Sequence, residues 1–375
     1  MNVLLLARYF PPMPAGGARR PYLMARALIR SGARVFVCAP NVPSDIPGVV
    51  MPHHHPEPAA SVTPGELSLA RWGIRDWGRE LLRWPDPDIG WARAAGRRAA
   101  ESVPFKPDWI ITTSPPESLL PVGLGLKRRF GARWLADFRD TWLLDARRPE
   151  RNLIWRRLGE ATLARRWLKK ADRLCAVDNV VATEIGRLSG GRDVVVVPQL
   201  VPPPGRRRAL EPIDATHIAY TGQISIGDHR RSVDDLIRVF TAARERNPSL
   251  VLHICGHLTS REAERLQATE AVRLHGALPL QAVLDLQASA DALIVHGSDG
   301  STAVPGKLAE YRATAAPIVA IGSGPWLCNA GLTAQDPVAA LAAVSGRAPP
   351  PPLPGSDPAA AALLELLGLK VDEGR

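Results

Sequence analysis

No apolar run in this sequence approaches the roughly 18 to 20 residues that a membrane span requires, so a bilayer-crossing helix is excluded. Cysteine is scarce. Cys38, Cys175, Cys255 and Cys328 stand far apart with no C-x-x-C pair, which removes a disulfide framework and a cysteine zinc site and fits a reducing cytoplasm. No basic residue precedes the first apolar stretch, Val3 to Ala7, and that stretch is too short for the core of a secretion signal; it reads as a first strand. His53-His54-His55 lies between prolines on an extended loop without a carboxylate cluster, so no metal site is expected. The opening strand lacks a G-x-G-x-x-G, which argues against a dinucleotide fingerprint. No nucleic-acid-binding motif accompanies the charge, and no nucleic-acid partner is expected.

What is present is an ordinary globular composition, 46% hydrophobic and 22% charged, over a length that predicts two domains. The net charge of +10 is unevenly spread: residues 1–200 hold 31 Lys and Arg against 19 Asp and Glu. A basic first half suits phosphate-bearing substrates or an anionic membrane face, and a genome that favours arginine gives the same excess.

Apolar runs alternate with amphipathic stretches along the chain. Strands are expected at Val3 to Ala7, Arg34 to Ala39, Asp108 to Thr112, Arg133 to Asp137, Arg173 to Val177 and Val194 to Val197, with helices such as Arg19 to Arg30 between them. That alternation means a parallel, doubly wound sheet. It breaks at Pro198 to Thr216, where Pro202-Pro203-Pro204 and Arg206-Arg207-Arg208 fit neither period, and restarts at His217. The fold class is therefore α/β, two Rossmann-like domains facing across a cleft. The expected domains are 1–200, a linker at 201–215, a second domain at 216–346, and a Pro-rich segment with a short helix at 347–375.

Several segments carry chemistry. Gly16-Gly17, between the first strand and its helix, lets backbone N–H groups approach an anion at a helix start. Tyr220 to Ser232 holds a strand, the turn at Gly222 and the guanidiniums of Arg230 and Arg231, suited to the charge that develops on a departing diphosphate. Ser298 to Tyr311 offers the hydroxyls of Ser301 and Thr302 before a helix that begins with Lys307, and Glu310 within it can accept both hydroxyls of a ribose. His275 ends the strand expected from Val272, and it and Gly276 are grouped with the donor-binding residues. Asp137-Phe138-Arg139-Asp140 ends an apolar strand; Arg139 cannot act as a base, so it is assigned to sugar or phosphate binding, with Asp140 orienting it or touching the acceptor.

These stretches bear a resemblance. Arg8-Tyr9-Phe10-Pro11-Pro12 leading to Gly16-Gly17, then Trp84-Pro85-Asp86-Pro87-Asp88, Thr113-Ser114-Pro115-Pro116, Asp137-Phe138-Arg139-Asp140 and Pro305-Gly306-Lys307-Leu308 with Glu310-Tyr311, resembles family 4 glycosyltransferases of bacterial polysaccharide pathways. The resemblance implies the GT-B fold and transfer of a sugar from a nucleoside diphosphate sugar to a hydroxyl on a glycan, a lipid-linked intermediate or a natural product. It also implies retention of anomeric configuration, with no metal or other cofactor. In such enzymes the Glu310 position grips the donor ribose, and a second acid stands eight residues earlier; here that position is Thr302. Arg139 stands where many relatives have a histidine. Two other readings fit the scaffold: a sugar-nucleotide epimerase, and a non-catalytic nucleotide-sugar-binding partner subunit. Arg147 to Lys170 interleaves basic residues with Ile154, Trp155, Leu158 and Trp167, as a helix lying on an anionic leaflet does, and a helix packed on the sheet with its basic residues solvated gives the same pattern.

Overall fold

The computed structural model describes residues 1–11, 16–51, 84–144, 151, 153–203, 205–225, 231–297, 304–324, 326–327, 332, 336–345 and 357–369. The chain divides into two compact units, Met1–Leu200 with Gly355–Arg375, and Val201–Pro354.

Unit 1 contains β1 (Asn2–Leu6), α1 (Arg19–Arg30), β2 (Arg34–Ala39), β3 (Gly48–Val50), α2 (Ile89–Ser102), β4 (Trp109–Ser114), α3 (Leu119–Phe130), β5 (Arg133–Phe138), α4 (Ile154–Leu168), β6 (Arg173–Ala176), α5 (Asn179–Leu188), β7 (Val195–Val196) and α11 (Pro358–Leu366). Its seven strands run in the order β3-β2-β1-β4-β5-β6-β7, and each pair is parallel. Alternate residues of β1 feed two cores. Leu4 and Leu6 join Trp91, Ile110, Trp134 and Phe138 on one face, while Val3 and Leu5 join Met24, Leu28, Ile111 and Leu135 on the other. A strand buried on both faces is a continuous apolar run, which is why these are the plainest segments of the sequence.

Helix α11 completes the second of those cores with Ala359, Leu363, Leu364 and Leu367. Asp357 caps it by accepting the Ala359 N–H at 3.0 Å.

Unit 2 contains β8 (Thr216–Thr221), α6 (Val233–Arg246), β9 (Leu250–Cys255), α7 (Ser260–Gln267), β10 (Val272–Gly276), α8 (Leu280–Ser289), β11 (Ala292–His296), α9 (Lys307–Ala313), β12 (Ile318–Ile321) and α10 (Pro337–Ala342). Its five parallel strands follow the order β10-β9-β8-β11-β12. The α7 N-terminus carries a capping box, with the Thr259 hydroxyl accepting the Glu262 N–H at 3.2 Å and the Glu262 carboxylate accepting the Thr259 N–H at 2.7 Å. Both units are thus parallel-sheet α/β domains, the composition of the GT-B fold. The described cysteines, Cys38, Cys175 and Cys255, are buried.

Candidate functional site

In open parallel sheets, ligands bind beyond the strand C-termini at the point where strand order reverses. In unit 2 that point lies between β8 and β11, at Thr221-Gly222 and His296-Gly297. Gly222 has φ +112, a conformation a side chain resists, and a Cβ on Gly256 would meet the Gly222 carbonyl oxygen at 2.3 Å. Glycines here let two main-chain turns touch.

Lys307, the first residue of α9, donates to the Thr221 carbonyl at 3.1 Å, with its Nζ 3.9 Å from the centre of the Tyr220 ring. Burial pushes the Tyr220 hydroxyl up to about 12, and Arg231 opposes that shift, so its guanidinium acts on the same spot. His296 is buried. Taking its Nδ1 as the donor to the Gly297 carbonyl, at 2.8 Å, leaves Nε2 as an acceptor, and Nε2 has no hydrogen-bond partner among the described residues. Burial, then the charges of Arg231 and Lys307, lower its pKa and keep it neutral.

Glu310 is only 4% exposed. The Gln287 amide donates to it at 3.2 Å and to the Thr221 hydroxyl at 2.9 Å, and the Tyr311 hydroxyl accepts the Thr221 N–H at 2.9 Å. Gly222, Arg231, Lys307 and Glu310 are therefore gathered around the end of β8. His275 and Gly276 are elsewhere: they end the edge strand β10, with β9 between it and β8. The His275 Nε2 lies 2.9 Å from the His253 Nδ1, whose ring continues the line to the His217 Nδ1 at 2.9 Å. Burial, with charge repulsion from its neighbours, pushes His253 down to about 3. Arg230, Ser301, Thr302 and His53-His54-His55 lie outside the described residues.

In unit 1 the reversal falls between β1 and β4. Gly16 to Ala18 forms a short 3-10 turn into α1. Arg139, half-buried after β5, donates from Nη1 to the Gly17 carbonyl, from Nη2 to the Pro115 carbonyl and from Nε to the Ser114 carbonyl. A Cβ on Gly17 would meet the Arg139 Nη1 at 2.0 Å, so a side chain there would displace the guanidinium. Burial lowers the Arg139 pKa, with Asp140 and Asp137 opposing. Its donors thus fasten the glycine turn to the end of β4.

Three groups of partners in unit 1 are not expected from the sequence. Arg20 and Asp137 form a buried pair at 2.7 Å joining α1 to β5, and Arg20 also reaches the Pro198 carbonyl at 2.9 Å. Although burial alone would lower the Arg20 pKa, the Asp137 charge leaves it raised. Arg8 pairs with Asp88 at 2.9 Å. Asp86 accepts the N–H groups of Asp88 and Ser118, and burial followed by the Glu117 charge pushes it up to about 7. Among the described residues, no group of His, Cys, Asp and Glu has metal-ligand geometry.

Comparison with known proteins matches the Glycosyl transferase 4-like domain at residues 15–199 and the Glycosyl transferases group 1 domain at 215–346. Among solved structures, the chain is similar to an E. coli trehalose-6-phosphate protein bound with UDP-2-fluoro glucose: 13% identity, TM-score 0.55, covering 99% of this chain and 96% of that one. It is also similar to UDP-GlcNAc 2-epimerase from Neisseria meningitidis bound to UDP-GlcNAc, at 9% identity, TM-score 0.51 and coverage of 98% and 99%. Anabaena HepE in complex with UDP-glucose matches at 17% identity, TM-score 0.50 and coverage of 85% and 80%. No curated protein sequence matches. At these identities the structural likeness speaks to fold.

Proposed function

The chain belongs to family 4 of the glycosyltransferases, and from that membership we propose that it moves a sugar from a nucleoside diphosphate sugar to an acceptor hydroxyl. The observation that supports this most is the gathering of Lys307, Arg231 and the positive-φ Gly222 at the strand-order reversal of unit 2. A departing diphosphate builds negative charge on its β-phosphate, and an ammonium with a guanidinium at that point lowers the barrier. Glu310 is assigned to the donor ribose, and Gln287 holds its carboxylate. Arg230 is assigned to the same phosphate loop.

The reaction we infer retains configuration. The bond from the anomeric carbon to the β-phosphate oxygen breaks, the acceptor oxygen bonds on the same face, and its proton passes to the leaving phosphate. No protein nucleophile and no metal are required. Unit 1 is assigned to the acceptor, with Arg139 and Asp140 shaping its edge, and the outer face of α4 to an anionic membrane that carries a lipid-linked acceptor at the cytoplasmic side.

The test is a thermal-shift screen of nucleoside diphosphates and their sugars. The uridine series comes first, because the Anabaena protein holds UDP-glucose. A cognate ligand at 100 times its Kd should add about 2.7 kcal/mol of stability. Glu310→Ala should weaken nucleotide binding by about 1–3 kcal/mol, the scale of a lost charged hydrogen bond. A screen in which no nucleotide raises Tm would overturn the reading.

A further inference from the structure

We propose that Arg8 is the centre of an oxyanion-binding site in unit 1 and that the acceptor carries the phosphate or carboxylate that fills it; the second half of this statement rests on the transferase reading above. Arg8 stands two residues beyond β1, at the edge where β1 and β4 mark the reversal of strand order. Its side chain is fully buried, Nε donates to the Asp88 Oδ1 at 2.9 Å, and among the described residues neither Nη1 nor Nη2 has a hydrogen-bond partner. A buried arginine answered on one of three nitrogens is costly to fold unless something else answers the other two.

Nearby groups do not answer them. The Tyr9 and Trp91 ring centres lie 5.4 and 5.3 Å from the guanidinium carbon, which offsets charge but accepts none of the in-plane N–H bonds. The other acids are committed: Asp86 holds the N–H groups of Asp88 and Ser118, at 2.9 and 2.7 Å, and Glu117 holds Arg151 at 2.8 Å. The Ser118 hydroxyl, also buried and without a partner among the described residues, sits on the residue whose N–H Asp86 accepts. Two η nitrogens side by side match two oxygens of a single phosphate or carboxylate, the geometry in which a guanidinium binds most strongly. Low local dielectric strengthens such a pair.

The experiment titrates the full chain with inorganic phosphate, followed by 31P line broadening, with the nucleoside diphosphate identified in the screen present at saturation so that its own site is filled. Phosphate is expected to bind, and Arg8→Lys to weaken it about tenfold or more with nucleotide affinity unchanged. Equal phosphate binding by the two proteins, or none by the wild type with acetate also failing to bind, would overturn the proposal. Should Arg8→Lys not fold by circular dichroism, Arg8→Met combined with Asp88→Asn removes both members of the ion pair and is read the same way. Acetate competing phosphate away assigns a carboxylate-bearing acceptor; phosphate bound without competition assigns a phosphoryl one. If no nucleotide binds in the screen, the transferase reading fails on its own, and the phosphate titration without nucleotide still decides the role of Arg8.

Discussion

Asp86 keeps its proton where a free carboxylate would have lost it, and the direction of that shift has a consequence for stability. Burial first, and then the charge of Glu117, raise it to about 7. An unfolded aspartate titrates near about 4, so between about pH 4 and about pH 7 the folded chain binds a proton that the unfolded chain has released. The stabilisation linked to this group is present below about pH 4 and is lost as pH climbs through about 7. Asp86→Asn should therefore flatten the loss of stability between about pH 4 and about pH 7 in urea unfolding; an unchanged slope would remove Asp86 as its source. Residues of this kind are illegible in the sequence. Asp88 and Arg8 are separated by 80 positions, and Asp137 and Arg20 by 117, so neither pair has a local pattern. His296 closes the apolar run Ala292 to His296 and reads as strand, although its Nε2 is a buried acceptor. By contrast, Lys307 and Gly222 are legible because a glycine turn and a helix start are local features.

The elements divide along the same line. Central strands such as β1, β4 and β9 are plain, being buried on both faces and largely apolar. Helix α2 escapes a reading by periodicity because its buried face is built largely of Ala92, Ala95, Gly96 and Ala99, whose contrast with solvent-facing residues is weak. Small residues are there for contact: a Cβ on Gly96 would meet the Val122 Cγ1 of α3 at 2.5 Å. Helix α3 does the same against β5. At Gly123 a Cβ would lie 2.5 Å from the Trp134 Nε1, which donates to the Thr112 hydroxyl at 2.9 Å. Gly123→Ala is expected to destabilise the protein by about 1–3 kcal/mol through overpacking. Gly125, in the same helix, is the control: a Cβ added there would meet nothing within 4 Å, and alanine should stabilise by up to about 1 kcal/mol. Chemical denaturation of the two variants separates them, and equal effects would mean that the Trp134 contact is not tight.

At the scale of the whole molecule, the basic excess is partly internal. Arg151 and Arg156 turn inward to Glu117 and Glu160, at 2.8 and 2.6 Å, so they cannot serve an external anion. What α4 shows outward is Ile154, 78% exposed, Trp155, 42%, and Leu158, 64%, with Arg157, Arg165, Arg166, Lys169 and Lys170 also exposed. Apolar side chains that reach acyl chains and cations that meet anionic headgroups are what an interfacial helix presents, each cation contributing about 1 kcal/mol near the surface. The protein should float with phosphatidylglycerol vesicles at low salt, and an Ile154→Glu, Leu158→Glu variant should remain at the bottom of the gradient. A wild-type chain that stays down would retire the membrane assignment. No described helix is long and apolar enough to cross the bilayer.

Helix α11 follows all of unit 2 in the chain yet supplies Leu363 and Leu364 to the interior of unit 1. The C-terminal lobe is, in topology, an insertion into the N-terminal one. On a ribosome adding about 5–20 residues per second, the later-encoded lobe has its full set of strands before the earlier-encoded lobe receives its last helix. Completion of the first-translated lobe therefore waits on the segment made after the second, and a message truncated just ahead of Pro358 damages the lobe that was translated first.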